Sequence, residues 1–414
     1  MKKLLLVNTY GNLWSTGRLA AEVGEVAKNN GWECYFAYAS QAKPCGYQMI
    51  RINTSRVLNK IHFFFSRILN LKGFGSWWET RKFIRTIKKI CPDIIHLHNI
   101  HGDYLNIPLF FRFLKRANIP VVWSLHDCWA MTGGCTHFVY FRCEQWKTGC
   151  HNCPRYKNKD RGGELRGFIR TMPWVYKYKK QLFEAVPNLT IVSASEWLAQ
   201  IARNSYLSIK DIRVIPNGID VSIFKPYDNT TEIRRKYDLR DKFVIMGVGT
   251  EWSVRKGFND YLQLSQKLSS DFVIVLVGVD HLTQKQLPTN IIGISKTDNI
   301  AELALLYSTA NVVTSLSYQE AFGLTPIEGF ACGTPAIVYN NTALPELITP
   351  QTGIIVETGS IDKLVEAIEE IRSRGKQYYS PCCRETAEKF YNKYTQYSKY
   401  VELYQEILTK KMKS

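Results

Sequence analysis

Ser315-Leu316-Ser317-Tyr318-Gln319-Glu320-Ala321-Phe322-Gly323-Leu324-Thr325-Pro326-Ile327-Glu328-Gly329-Phe330-Ala331-Cys332-Gly333-Thr334-Pro335 is the stretch from which this chain can be read. An apolar strand, Asn311 to Thr314, runs into it and ends near Ser315. A glycine-containing loop follows, and a helix is predicted to begin near Pro326. Proline suits the first turn of a helix, and the unpaired amides there form an anion site. Glu320 lies in the loop and Glu328 one or two turns into the helix, so both can face one crevice. A carboxylate accepts paired hydrogen bonds from vicinal hydroxyls, which suits a sugar ring or a ribose. Taken alone, the pair also reads as two solvated carboxylates around a helix start.

Working outward, Phe243 to Val248, Phe272 to Val277, Asn290 to Ile294, Ala336 to Tyr339 and Ile354 to Val356 are further apolar runs of strand length. Helical segments at Asp260 to Leu268, Ile300 to Ser308 and Ile361 to Arg372 separate them. Such alternation predicts a doubly wound α/β domain with a parallel sheet. The first half reads the same way. Lys3 to Val7 leads through Asn8-Thr9-Tyr10-Gly11 to a helix from about Thr16 to Asn29, closed by Gly31. Asp93 to His98, Val121 to His126 and Leu189 to Ser193 begin apolar and end polar, as parallel strands do when their C-terminal ends open into a ligand crevice. Val214 to Asp241, with Pro216-Asn217-Gly218, is the expected linker. Near the end, Ser380 is the expected N-cap of a long helix with Pro381 at its first position. Phe390, Tyr394, Tyr397, Val401, Tyr404 and Leu408 then form one apolar seam.

The chain has 414 residues, 45% of them hydrophobic and 22% charged, the composition of a globular protein with room for two cores. The apolar run after Met1 is too short for a signal-peptide core, and no run approaches membrane-spanning length. A cytoplasmic protein, peripheral on the inner face of the membrane, is therefore expected. A formal charge of +18 favours an anionic partner, be it nucleic acid, acidic lipid or a phosphorylated substrate.

Glu320 to Glu328, with seven residues between the two glutamates, closely resembles the signature of the retaining GT-B glycosyltransferases called family 4. Gly329 to Val338 continues the match. Val214-Ile215-Pro216-Asn217-Gly218-Ile219-Asp220 with Phe224, and Leu125-His126-Asp127, also resemble that family, and the matches fall in order along the chain. The resemblance implies two Rossmann-like domains facing a central cleft. Residues 1–215 would bind the acceptor and 216–383 the nucleotide-sugar donor, with a C-terminal helix over 384–414 packing back on the first. Glu328 would hold the nucleotide ribose and Glu320 the sugar hydroxyls. The amides of Gly323, Leu324 and Thr325 would meet the diphosphate or sugar, with Gly249 beside them. His126 and Asp127 would lie beside the transferred sugar.

The family places an arginine and then a lysine after the first strand of the donor domain. Here Gly249-Thr250-Glu251-Trp252-Ser253-Val254-Arg255-Lys256-Gly257 keeps the lysine as Lys256 but has Thr250 where the arginine stands. Arg255 is the candidate replacement, because a leaving diphosphate must be neutralised as its bond breaks. Strand alternation puts His96 and His98 on one side; Gly11, His98 and Asn99 are expected on the acceptor side. The resemblance further implies a nucleoside-diphosphate sugar as donor, a saccharide or polyprenyl-diphosphate-linked acceptor, and no cofactor or metal for catalysis. Capsule, exopolysaccharide or O-antigen assembly is the implied setting, with no nucleic acid as partner.

Two features lie outside that pattern. Cys135, Cys143, Cys150 and Cys153 fall within nineteen residues, and Cys150-His151-Asn152-Cys153 has the gap of a zinc knuckle. Structural zinc and loosely clustered reduced thiols both fit. Arg56 to Lys89 carries nine basic residues and one acid, Glu79, together with Phe63-Phe64-Phe65 and Trp77-Trp78. This suits an anionic bilayer surface, or a solvated basic helical pair. A basic nucleic-acid binder with a zinc knuckle, or another GT-B enzyme such as an epimerase or a phosphorylase, are the rival readings.

Overall fold

The structure, a computed structural model, describes residues 1–52, 56–156, 169–239 and 241–413. The chain divides into two compact units, Met1–Pro216 with Gln396–Ser414, and Asn217–Thr395. The first unit holds seven parallel strands: β1 (Lys3–Asn8), β2 (Glu33–Tyr38), β3 (Gln48–Arg51), β4 (Ile94–Leu97), β5 (Val121–Leu125), β6 (Leu189–Ser193) and β7 (Asp211–Val214). Their order is β3-β2-β1-β4-β5-β6-β7. The second unit holds β8 (Phe243–Val248), β9 (Phe272–Val277), β10 (Ile291–Ile294), β11 (Val312–Ser315), β12 (Ala336–Tyr339) and β13 (Gly353–Val356), in the order β10-β9-β8-β11-β12-β13. Both sheets reverse their winding once, between β1 and β4 and between β8 and β11. Open α/β sheets bind ligands beyond the strand ends at such a reversal.

The strands are buried because helices cover both faces. Leu4, Leu5, Leu6 and Val7 of β1 and Ile274, Val275 and Leu276 of β9 are fully enclosed. Register sets what lies above the paired segment. Val7 pairs with Leu97, so His98 follows immediately beyond β4, and its amide donates to the Val7 carbonyl.

Within the expected linker, β7 ends at Val214 and Thr231–Lys236 is helical. Three expectations at the C-terminal end are corrected. The C-terminal segment is not one helix capped by Ser380. A helix over Lys376–Tyr391 encloses Pro381 in its interior, and a second helix runs over Lys393–Lys413. The return to the first unit therefore begins at Gln396. Residues 384–395 stay with the second unit, where the Arg384 guanidinium donates to the carbonyls of Val221, Phe224 and Ala331. The break also splits the apolar seam. Tyr397, Val401, Tyr404 and Leu408 pack into the core of the first unit, whereas Phe390 and Tyr394 are half-exposed.

In the second unit the loops after β8 and β11 are pressed together. Gly257 has φ of +76°, and a methyl group built there would lie 2.2 Å from the Leu316 carbonyl oxygen. No side chain fits without parting the loops. Gly257→Ala is expected to lower the stability of the second unit by about 3 kcal/mol, combining strain and overpacking. Gly359→Ala shares a positive φ, +82°, but meets only the tip of Tyr318, and should cost about 1 kcal/mol. Urea unfolding of the two variants checks this, and equal losses would refute the close-approach argument.

Candidate functional site

The loop after β8 ends in a single turn, Val254–Lys256, closed by Gly257. This turn brings two cations to the loop that carries Glu320. The Lys256 ammonium pairs with Glu320 Oε1. Arg255 donates from Nη1 to the Gln319 carbonyl at 3.3 Å, and its own carbonyl accepts from the Tyr318 amide at 2.8 Å. Burial alone would raise the Glu320 pKa, but Lys256, then Arg255 and the Ser317 hydroxyl, together hold it below the usual carboxylate value. Glu320 is thus a fixed anion beside a fixed cation. Its amide donates to Thr342 Oγ1 at 2.9 Å, and Thr342 sits at φ of +54°, a conformation that β-branched residues rarely adopt. Sequence reasoning passed over Thr342, although Asn340-Asn341 marks a turn there.

Gly323, at φ of +112°, caps the helix Leu324–Ala331, which begins two residues before the expected Pro326. Its first amides point out of the helix without intrahelical acceptors. The Thr325 hydroxyl reaches the Val248 carbonyl at 3.5 Å, tying the helix start to the end of β8. Gly249 follows at once, its amide bonded to Val277. Glu328 is 5% exposed, and its Oε2 accepts a 2.7 Å hydrogen bond from Tyr307. Tyr307 is therefore a component of the site that no sequence signal announced. Glu320, Glu328, Lys256, Arg255, Gly323, Leu324, Thr325 and Gly249 thus all belong to the loops and helix starts at the β8–β11 reversal.

The first unit gathers histidines at the ends of β4 and β5. His98 Nδ1 and His126 Nε2 lie 3.1 Å apart with rings 13° from parallel, so one proton links the two tautomers. His96 packs against His98, ring centres 4.1 Å apart and tilted by 37°, and bonds Ser124 through Nε2 (2.8 Å) and Tyr404 through Nδ1 (2.7 Å). Asp127 engages both oxygens within the unit, accepting from the Trp129 amide at 2.7 Å and meeting His101 Nε2 at 2.8 Å. Burial would raise its pKa, yet His101 and these hydrogen bonds hold it below the carboxylate range. Asp127 orients the turn and His101. His98, His101, His126 and Asp127 line one small pocket. Gly11 bridges to Ala42 by the main chain, and Asn99 is bonded to Asn8, Thr9 and Tyr104. Both serve as the framework of this rim.

Residues 16–223 match the family described as Glycosyltransferase Family 4, and residues 229–390 match Glycosyl transferases group 1. Over 189 residues the chain is 31% identical to the putative colanic acid biosynthesis glycosyl transferase WcaC of Escherichia coli (strain K12), covering 42% of this chain and 43% of that protein. The chain thus spans less than half the length of this curated relative. Sucrose-phosphate synthase from Thermosynechococcus elongatus superposes with a TM-score of 0.74 at 17% identity, over 99% of this chain and 100% of that one. Anabaena Alr3699/HepE in complex with UDP-glucose gives 0.71 at 13%, over 98% and 100%. Two doubly wound units and these likenesses define a GT-B fold. The chain belongs to glycosyltransferase family 4.

Burial lowers the pKa of His98 well below its ordinary value, that of His96 to about 3 and that of His126 to about 4. Asp127 opposes the shift of His126, while His101 adds to it. The unfolded chain therefore takes up protons below about pH 6.5 that the folded unit refuses. Stability is full above that pH and is lost as pH falls toward 4. Each histidine contributes about 1.4 kcal/mol per pH unit in this window. Urea unfolding followed by tryptophan fluorescence should show this slope, and His98→Gln should lessen it by about one proton. A flat profile contradicts the burial argument.

Proposed function

We propose that this protein transfers a hexose or N-acetylhexosamine from a nucleoside-diphosphate sugar to a saccharide or polyprenyl-diphosphate-linked acceptor, with retention of anomeric configuration. Its setting is the assembly of a bacterial surface polysaccharide, a reading supported by the likeness to the colanic acid transferase. The observation that carries the proposal is the Lys256–Glu320 pair beside an open helix N-terminus. The diphosphate takes the amides of Gly323, Leu324 and Thr325, with Lys256 and Arg255 neutralising the charge that develops on it. Glu320 accepts hydrogen bonds from sugar hydroxyls, and Glu328, oriented by Tyr307, takes the ribose. With Glu320 committed to Lys256, the proposed path is attack on the face the diphosphate leaves, a phosphate oxygen accepting the acceptor's proton. Neutral His126 is a partner for sugar hydroxyls. No metal or cofactor takes part in this scheme.

Lys256→Ala should cut turnover at least about a hundredfold. Glu328→Ala should weaken binding of free nucleoside diphosphate at least about tenfold, consistent with removing a charged hydrogen-bond partner. Glu320→Ala should impair transfer more than nucleotide binding. Calorimetry and a thermal-shift screen over UDP-, GDP- and dTDP-sugars decide these points. Parental nucleotide affinity in Glu328→Ala would overturn the ribose assignment.

The acceptor class points to a membrane surface. On the helix Trp77–Ile90, Arg81, Lys82, Arg85, Lys88 and Lys89 are exposed, whereas Glu79 is buried. Trp78 is 58% exposed, Phe63 and Phe64 are half-exposed, and Arg81 stacks on Trp77 at 3.5 Å. Phe65 lies outside the described side chains. Each base near an anionic bilayer contributes about 1 kcal/mol. Co-sedimentation should show binding to acidic vesicles and not to neutral ones. Arg81, Lys82, Arg85, Lys88 and Lys89 changed together to Gln should release the protein while leaving donor binding intact. Equal binding to both vesicle types, or to neither, contradicts the reading.

A further inference from the structure

Between β5 and the helix Met172–Glu184, the described residues form only three short 3₁₀ turns, Trp129–Met131, Gln145–Lys147 and Pro154–Tyr156. Irregular stretches of this length inside a compact unit need something to hold them. Four cysteines from this stretch, Cys135, Cys143, Cys150 and Cys153, line one small pocket. The backbone is bent to bring them there. Gly149 and Cys150 take φ of +117° and +59°, and the Gln145 carbonyl accepts from both of their amides, at 3.0 and 2.7 Å. The Gly133 amide donates to Cys150 Sγ at 3.3 Å. All four sulfurs are free of disulfides, and among the described residues no three ligand side chains yet stand in coordinating geometry. Closure therefore requires the thiols to turn inward.

A buried lysine stands behind the same stretch. Lys179 is 1% exposed and reaches in behind this stretch. Its ammonium pairs with the Trp129 carbonyl, donates to that of Thr132 at 2.9 Å and lies 3.4 Å from the Trp129 ring centre. Among the described residues no carboxylate pairs with it. Burial lowers its pKa well below that of a free lysine, an effect that Cys150 and then Asp127 oppose. A zinc ion held by four thiolates carries a net charge of two minus, which would oppose it further and favour the ammonium form.

We propose that Cys135, Cys143, Cys150 and Cys153 are the ligands of one structural zinc ion that pins the stretch following His126 and Asp127. Each thiol releases its proton to solvent on binding, and the closed four-sulfur set leaves no position for substrate. The site goes beyond the proposed transfer and is independent of the donor assignment.

The test uses the full chain, purified under reducing conditions without chelator. Elemental analysis should find about one zinc per chain. Cobalt(II) in its place should give the visible bands and thiolate charge transfer of a tetrahedral sulfur site. Alkylation should modify four more cysteines after a chelator is added than before. Cys143→Ser should lower zinc affinity at least about tenfold, while Cys45→Ser should leave it unchanged. Should Cys143→Ser fail to fold, the parental stoichiometry, cobalt spectrum and alkylation count still decide. Zinc well below one equivalent after metal reconstitution, chelator-independent alkylation, or disulfides among these four in freshly trapped protein each overturn the proposal.

Discussion

A lysine and a glutamate, each about one-fifth exposed, hold one another where the loops after β8 and β11 meet. Opposite charges drawn partly out of water attract more strongly than on an open surface, but only while both stay in place. Gly257 lets the loops close to that distance, and the Arg255 carbonyl ties them by the main chain. The helix start at Gly323 and the Glu328–Tyr307 contact stand on the same framework. Loss of either partner leaves a largely buried charge unpaired, so the pair supports both loops.

The first unit solves a different electrostatic problem. It packs three imidazoles against one another and keeps them uncharged by burial, with the Asp127 carboxylate held beside them by His101. A neutral imidazole can donate at one nitrogen and accept at the other, and the shared proton between His98 and His126 makes that choice common to both rings. Charge is handled by pairing in one unit and by exclusion in the other.

What the sequence disclosed follows the reach of each interaction. The strands of the second unit, from Phe243–Val248 to Gly353–Val356, were legible almost to the residue because buried parallel strands are short, continuous apolar runs. Glu320 and Glu328 were legible because their helix start and glycine lie within a few residues of them. Tyr307 and Thr342 were not, since Tyr307 meets the Glu328 carboxylate across 21 positions of chain and Thr342 the Glu320 amide across 22. The C-terminal seam misled at Phe390 and Tyr394, where the periodic pattern continues through Asn392 although the helix does not. Lys179 gave no sign, because a lysine between polar neighbours reads as a solvated side chain until the fold buries it.

The aromatic face at the end of the chain has a consequence for how the molecule is made. Tyr397, Tyr400, Val401, Leu403 and Tyr404 pack with Leu4, Leu6, Trp32 and Phe36, and Tyr404 and Tyr400 complete the hydrogen bonds of His96 and Ser124. Translation delivers Leu4 long before Tyr404. On the ribosome, where domains otherwise fold in order of emergence, the first unit must wait with part of its apolar surface uncovered until the second has been synthesised. A ribosome stalled before Gln396 would hold a first unit that cannot complete its core.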